Sequence, residues 1–217
     1  MLKALTKDSK VPIAALERLA TYLRYLNELN RDGLQTISSS DIEKETGIHA
    51  TQFRKDLSYF GEFGKPGVGY NVNELQGRIA RILKVDDEQP VILIGAGNLG
   101  SALLGYTGLP QNNFRIVGVF DNDRHKIGYK LWDNEIFDIE TLKERNTQLC
   151  ARIAILTVPS VSAQSVVDKL VDAGVKVILN FAPTSIRVSD DVVVRNVCFV
   201  QELTVLSYHV PPGKDGQ

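Results

Sequence analysis

Cysteine and histidine are scarce in this 217-residue chain. The two cysteines, Cys150 and Cys198, form no CxxC pair and no Cys/His ligand spacing, and His49, His125 and His209 are scattered. Neither a metal site nor a structural disulfide is expected, and both cysteines read as small buried hydrophobes. No apolar run reaches the roughly 18 residues of a membrane-spanning helix, and the first residues lack the apolar core of a signal peptide. These absences predict a soluble, cytoplasmic protein with no membrane partner. Excess charge is lacking too, at a formal −1, but the balance hides an asymmetry. Residues 1–84 carry 13 Lys+Arg against 10 Asp+Glu, and residues 85–217 carry 12 against 16. So mild a positive excess supports contact with nucleic acid only weakly by itself. The length suits two domains.

What is present begins with VILIGAGNLG, residues 91–100. Val91, Ile92, Leu93 and Ile94 read as a strand buried on both faces. They run into Gly95-Ala96-Gly97-Asn98-Leu99-Gly100 and then the helix-forming SALLGY, which ends at Tyr106. In this setting Gly95 supplies a tight turn, Gly97 lets a pyrophosphate approach the backbone, and Gly100 permits close helix–strand packing. Free N–H groups at the new helix face the phosphates. The fingerprint alone is weak, and it calls for an acid about 20 residues on, at the end of the next strand. FRIVGVFD supplies Asp121. A carboxylate there accepts from ribose hydroxyls and repels a 2′-phosphate, which favours NAD(H) over NADP(H). The bland alternative is a glycine turn in some other parallel α/β domain.

Residues 1–10 are polar and basic and read as a mobile arm. From Pro12, apolar positions Ile13, Leu16, Leu19, Ala20, Leu23, Leu26 and Leu29 recur at helical spacing up to Asp32-Gly33. Arg18, Tyr22 and Arg24 fall outside that stripe, as a solvated face or, more sharply, as phosphate contacts. Ser40-Asp41-Ile42-Glu43 fits a capping box opening a short helix that stops at Gly47. A second helix starts near His49 to Thr51 and runs to Gly61, with Phe53, Leu57 and Phe60 as its inward seam. Gln52, Arg54, Lys55, Ser58 and Tyr59 are left on or near the open face. Two short helices joined by a tight glycine turn are what a helix-turn-helix needs to read the major groove. Arg and Lys suit guanine, Gln suits adenine, and hydroxyls suit phosphates. A charged helical hairpin without this role has the same pattern. The next stretch, residues 61–70, holds four glycines and a proline and ends in strand-like Tyr70-Asn71-Val72. It resembles a projecting wing in which Lys65, Gly67 and Tyr70 would meet the sugar-phosphate. Asn73 then opens a helix with Leu75, Ile79, Ile82 and Leu83 inward, and acidic residues 86–90 form a linker.

Beyond the linker the periods alternate as a parallel α/β sheet requires. Strands are expected at 91–95, 115–120, near 135–137, at 152–157, 175–180 and within 192–200. Helices are expected at 98–107, 139–146 and 162–173, the last capped by Ser160 or Ser162 and stopped at Gly174. Two loops would line the dinucleotide site: Thr157-Val158-Pro159-Ser160 and Asn180-Phe181-Ala182-Pro183. Proline punctuation after a strand is the plainer reading of each. Neither loop holds the His or Lys that hydride chemistry on an alcohol usually needs as acid or base, and no substrate domain remains. An enzyme is therefore not expected, although an NAD-dependent oxidoreductase with an accessory N-terminal domain, or a repressor answering to a coenzyme A derivative, are the competing readings. Residues 201–210, QELTVLSYHV, carry Leu203, Leu206 and Val210 as an apolar seam suited to a second copy of the chain. The expected division is 1–85, 86–200 and 201–217.

The string RKDLSYFGEFGKPGVGY at 54–70, with Pro12-x-x-x-Leu16-x-Arg18-Leu19, GAGNLGSALLGY, the Asn180–Pro183 loop and the C-terminal ELxxLSY pattern, resembles the Rex family of redox-sensing transcriptional repressors. The resemblance covers almost the whole chain. It implies an N-terminal winged helix-turn-helix domain, a Rossmann-type parallel-sheet domain and a C-terminal helix exchanged within a homodimer. It also implies binding to operator double-stranded DNA, palindromic in keeping with a dimer, when the protein is free or holds NAD⁺, and release with NADH. By the same resemblance Arg54, Lys55 and Ser58 are recognition-helix contacts, Lys65 to Tyr70 the wing, and Gly95, Gly97 and Gly100 the pyrophosphate turn. Asp121 is the ribose carboxylate, and Tyr106 belongs to a redox-dependent dimer contact. One departure stands out: Cys198 occupies the place where the family commonly has an acid, so a pairing of that acid with Tyr106 would be missing here.

Overall fold

The computed structural model describes residues 11–64 and 68–211. The arm expected at 1–10 and the wing residues Lys65 and Gly67 lie outside them. The described chain divides into two compact units, residues 11–89 with 108–114, and residues 90–107 with 115–211.

In the first unit α1 (Ile13–Arg31) buries Leu19, Tyr22, Leu23 and Leu26 on one stripe. β1 (Thr36–Ile37) pairs antiparallel with β2 (Tyr70–Asn71), Ile37 opposite Tyr70. Between them lie α2 (Ser39–Thr46) and α3 (Ala50–Ser58), and α4 (Val72–Leu83) follows. The capping box is set two residues earlier than expected. Ser38, not Ser40, caps α2: its Oγ accepts from the Asp41 N–H at 3.2 Å, and its N–H donates to Asp41 Oδ2 at 3.0 Å. Glu43 reaches forward instead, accepting from the Ala50 N–H at 3.0 Å and facing His49 Nδ1 at 2.8 Å. It thus satisfies a donor at the start of α3, which has no cap from its own His49 side chain. Gly47, at φ 71°, makes the left-handed turn between the two helices. Asn71 caps α4 by accepting from the Glu74 N–H, so that helix starts at Val72.

The second unit is built on β3 (Gln89–Ile94), β4 (Phe114–Asp121), β5 (Lys130–Leu131), β6 (Asn134–Asp138), β7 (Ile153–Leu156), β8 (Val177–Asn180) and β9 (Val193–Asn196). The sheet order is β5-β6-β4-β3-β7-β8-β9, with β5 an antiparallel edge on β6. Without that edge the order of appearance reads 3-2-1-4-5-6, the doubly wound arrangement of dinucleotide-binding sheets. α5 (Asn98–Leu104) follows β3, and the short α6 (Gly108–Gln111), which belongs to the first unit, comes next in the chain before β4. α7 (Leu142–Leu149) follows β6 after a 3-10 turn, and α8 (Ser160–Asp172) joins β7 to β8. α9 (Phe199–Ser207) ends the described chain's regular structure. Val91 to Ile94 are all buried, as a strand covered on both faces requires.

Three expectations fail here. Neither Ser160 nor Ser162 caps α8, whose first turn follows Pro159. Cys150 is exposed, in the left-handed conformation that ends α7 (φ 53°), and Cys198 is only partly covered. The helix expected at 98–107 stops at Leu104. Among the described residues no helix is long and apolar enough to cross a membrane, and no His/Cys/Asp/Glu group could hold a metal.

Candidate functional site

The chain reverses its order in the sheet between β3 and β7, and the loops leaving those strands part to form a cleft of about 500 Å³. Gly95 stands at φ 101°, and a Cβ there would lie 2.8 Å from the Thr157 carbonyl oxygen. A Cβ on Gly100 would sit 2.0 Å from the Gly95 carbonyl oxygen, so α5 packs on the turn at a distance only glycine permits. Gly97 differs from both. Its φ of −83° is open to any residue, and a Cβ there meets nothing within 4 Å. The protein's own packing does not require this glycine. It lines the cleft, and the space a side chain would fill is where a ligand backbone can approach, which fits a pyrophosphate.

Of the residues singled out, Gly95, Gly97, Leu99, Asp121, Thr157, Val158, Pro159, Phe181 and Pro183 meet around this cleft. Ala96, Asn98, Gly100, Tyr106, Asn180 and Ala182 do not line it. Ala96 gives its N–H to Asp121, while Asn180 and Ala182 are buried behind the rim. Tyr106 lies beyond the end of α5, exposed. The Thr157 hydroxyl donates to the carbonyl region of Ile94 and Gly95, at 3.0 and 2.9 Å, and pins the two loops together.

Asp121 is engaged more fully than a ribose acceptor alone would be. Its Oδ2 accepts from the Ala96 N–H at 2.8 Å and faces Lys126 Nζ at 3.3 Å, and its Oδ1 accepts from the Asp123 N–H at 2.9 Å. Burial pushes this carboxyl up, but the two backbone N–H groups and Lys126 outweigh it and hold the pKa below the usual carboxylate range. Asp121 therefore ties the glycine turn to the end of β4, and part of its acceptor capacity still borders the cleft. Asn122, Asp123 and Lys126 line the same end and were not anticipated. Their signal was the polar run NDRHK directly after Asp121, at the carboxyl end of β4, where such clefts are built.

In the first unit Arg54, Lys55 and Ser58 of α3 and Tyr59 just after it are exposed, and so is Ser40 of α2. Arg54 Nη1 donates to Ser39 Oγ at 2.6 Å, joining the two helices on that face. Other expected contacts face inward. Arg18 grips Asp56 with two hydrogen bonds, Nε to Oδ2 at 2.6 Å and Nη2 to Oδ1 at 2.7 Å. The Tyr22 hydroxyl donates to the same carboxylate at 3.0 Å, and Gln52 Nε2 donates to it at 2.7 Å. Tyr22 and Asp56 are wholly buried. Arg18 and Tyr22 thus hold α1 to α3 through Asp56, Gln52 is engaged by the same carboxylate within α3 instead of reaching outward, and the reading of Tyr22 as a solvated residue is overturned. Tyr70 is turned inward as well, edge-on to Phe53 with ring centres 5.3 Å apart. Burial raises its phenol pKa.

Residues 86–184 match the family model described as "CoA binding domain", and residues 10–58 match the one described as "Putative DNA-binding protein N-terminus". The redox-sensing transcriptional repressor Rex of Carboxydothermus hydrogenoformans is 48% identical over 204 residues, covering 94% of this chain and 98% of that protein. The Rex of Pelotomaculum thermopropionicum is 45% identical over 94% of this chain and 96% of its own. Among solved structures, RSP in complex with β-NAD⁺ and operator DNA aligns at a TM-score of 0.88 and 40% identity, covering 93% of each chain. RSP in complex with β-NADH aligns at 0.83 and 38% identity, covering 93% of this chain and 95% of that one. Identity of this order, sustained from α1 to α9 and across both the glycine-turn cleft and the exposed helix α3, places the chain in the Rex family of redox-sensing transcriptional repressors.

Proposed function

We propose that this chain represses transcription by binding operator DNA as a homodimer in the cytoplasm, free or with NAD⁺, and that it leaves the operator when it holds NADH. The observation that carries the reading is the pairing, in one Rex-family chain, of a dinucleotide cleft with an exposed basic helix. Gly95, Gly97 and the turn into α5 would hold the pyrophosphate, and the acidic end around Asp121 would favour a free ribose over a 2′-phosphate. The nucleotide supplies a nicotinamide whose charge and planarity change with its redox state. Thr157 to Pro159 and Phe181 to Pro183 would border that ring and convert the difference into dimer geometry.

α9 supports the dimer. All of its residues are exposed on the single chain, with Phe199, Val200, Leu203 and Leu206 between 59% and 71% accessible. Each such side chain gains roughly 1.5–3 kcal/mol when fully covered, so a second copy is the natural occupant. A two-fold dimer would present two α3 helices to a palindromic site. Driving a two-state dimer from 1:99 to 99:1 takes about 10⁴-fold differential affinity, roughly 5.5 kcal/mol, which two nucleotide sites can share.

The nucleotide assignment is tested by titrating the protein with NADH, NAD⁺, NADPH and coenzyme A, following nucleotide fluorescence for the reduced forms and competition for the others. NADH is expected to bind tightest, and preferential binding of coenzyme A or NADPH would overturn the assignment. The α3 assignment has its own test. Arg54→Ala or Lys55→Ala should weaken operator binding about tenfold, and loss of a phosphate contact should flatten the slope of log affinity against log salt by about 0.9. NADH affinity should not move. Operator binding equal to the wild type in both variants would refute the assignment.

A further inference from the structure

The loop after β8 borders the cleft, and the segment after β9 leads into α9; one buried side chain bonds to both. Asn180, the last residue of β8, is 1% exposed. Its Oδ1 accepts from the Ala182 N–H at 2.9 Å, which fixes the orientation of the amide. Its Nδ2 faces three acceptors: Asn196 Oδ1 at 2.8 Å, the Thr184 carbonyl at 3.1 Å and the Ala182 carbonyl at 3.3 Å. An amide nitrogen has two protons, so these acceptors compete. Two of them belong to the loop that carries Phe181 and Pro183 into the cleft, and the third ends β9, three residues before α9 begins. A backbone bond from the Val197 N–H to the Asn180 carbonyl, 2.8 Å, holds the same two segments side by side.

We propose that the Asn180–Asn196 side-chain bond couples the nucleotide cleft to α9, with Asn180 as a positioning residue for the redox response. The proposal rests on the reading that NADH in the cleft drives operator release. A shift of the rim loop changes how far its two carbonyls draw the Nδ2 protons away from Asn196. That change reaches the chain where it enters the helix assigned to the second copy. The backbone bond at Val197 keeps β9 in register throughout, so the side-chain bond can vary without unfolding the edge of the sheet.

The test uses the full-length protein and compares operator affinity at saturating NADH with that of the free protein; the ratio is the coupling factor. Asn196 is exposed, so Asn196→Ala removes the acceptor and leaves the loop bonds of Asn180 in place. The expected result is NADH affinity of the isolated protein within twofold of wild type, and a coupling factor reduced about tenfold. Asn196→Asp keeps an acceptor oxygen and should restore most of the factor. A wild-type coupling factor in Asn196→Ala would overturn the proposal while leaving nucleotide sensing intact. Equal loss in Asn196→Ala and Asn196→Asp would overturn it in favour of a merely structural asparagine. A coupling factor of one in the wild-type protein would overturn the sensing reading itself, and the proposal with it.

Discussion

Replacing Gly97 with valine is expected to abolish the response to nucleotide while leaving the fold and operator binding of the free protein intact. The backbone at Gly97 is at φ −83° and ψ −168°, extended geometry that a β-branched residue adopts readily. No atom within 4 Å opposes a Cβ. The new methyl groups would project into the cleft where the pyrophosphate must approach. NADH affinity should fall at least about 100-fold, which is roughly 2.7 kcal/mol. Thermal unfolding should stay within a few degrees of wild type. Gly100→Ala is the control of opposite character: its Cβ would lie 2.0 Å from a carbonyl oxygen, so α5 must move and the second unit should melt earlier. If Gly97→Val unfolds as Gly100→Ala does, the glycine is structural and the cleft assignment loses its main support.

The second large effect is expected at Arg18. Its guanidinium is the only cation bonded to Asp56 among the described residues, and Asp56 is wholly buried. Arg18→Met keeps the apolar stem but leaves a buried carboxylate with only the Tyr22 hydroxyl and the Gln52 amide. Breaking a buried pair from one side costs about 3–5 kcal/mol. Because Asp56 and Gln52 sit on α3, operator affinity should fall with stability. The pH dependence should change sign. In the wild type, burial raises the Asp56 pKa, but the bonds from Arg18, Gln52 and Tyr22 more than compensate and hold it below the ordinary value. A depressed folded pKa stabilises above the unfolded value, about 4, and that contribution is lost as pH falls through the folded pKa. Without Arg18 the burial effect dominates and the folded pKa rises. The variant should then be weakest at neutral pH and recover as acidification protonates Asp56. Urea unfolding between pH 4 and 8 measures this, and parallel profiles for the two proteins would contradict it.

The network around Asp56 also shows where sequence patterning runs out. Tyr22 lies three residues after Leu19 and four before Leu26, on the buried stripe of α1, but its hydroxyl suggested solvent. Asp56 lies three residues after Phe53, in inward register, yet a lone carboxylate gives no hint that an arginine 38 residues earlier will meet it. Ser38 and Ser40 both fit a capping pattern, and local spacing does not choose between them. The β3 strand, the glycine turn and Asp121 were legible because one continuous segment and one strand end carry them, each with a specific steric or electrostatic demand. The bonds of Asn180 were not, since they depend on how the ends of β8 and β9 are brought together; Lys126 was passed over although it lies in the polar run that follows β4. The open space beside Gly97, where a Cβ would meet nothing within 4 Å among the described residues, is visible only in three dimensions.

The most direct test of the central claim is operator affinity at one fixed salt concentration with no nucleotide, with saturating NAD⁺ and with saturating NADH. The first two affinities should be comparable and the third at least tenfold weaker, and operator DNA should weaken NADH binding by the same factor, as linkage requires. Equal operator affinity with saturating NADH and with no nucleotide would contradict the account.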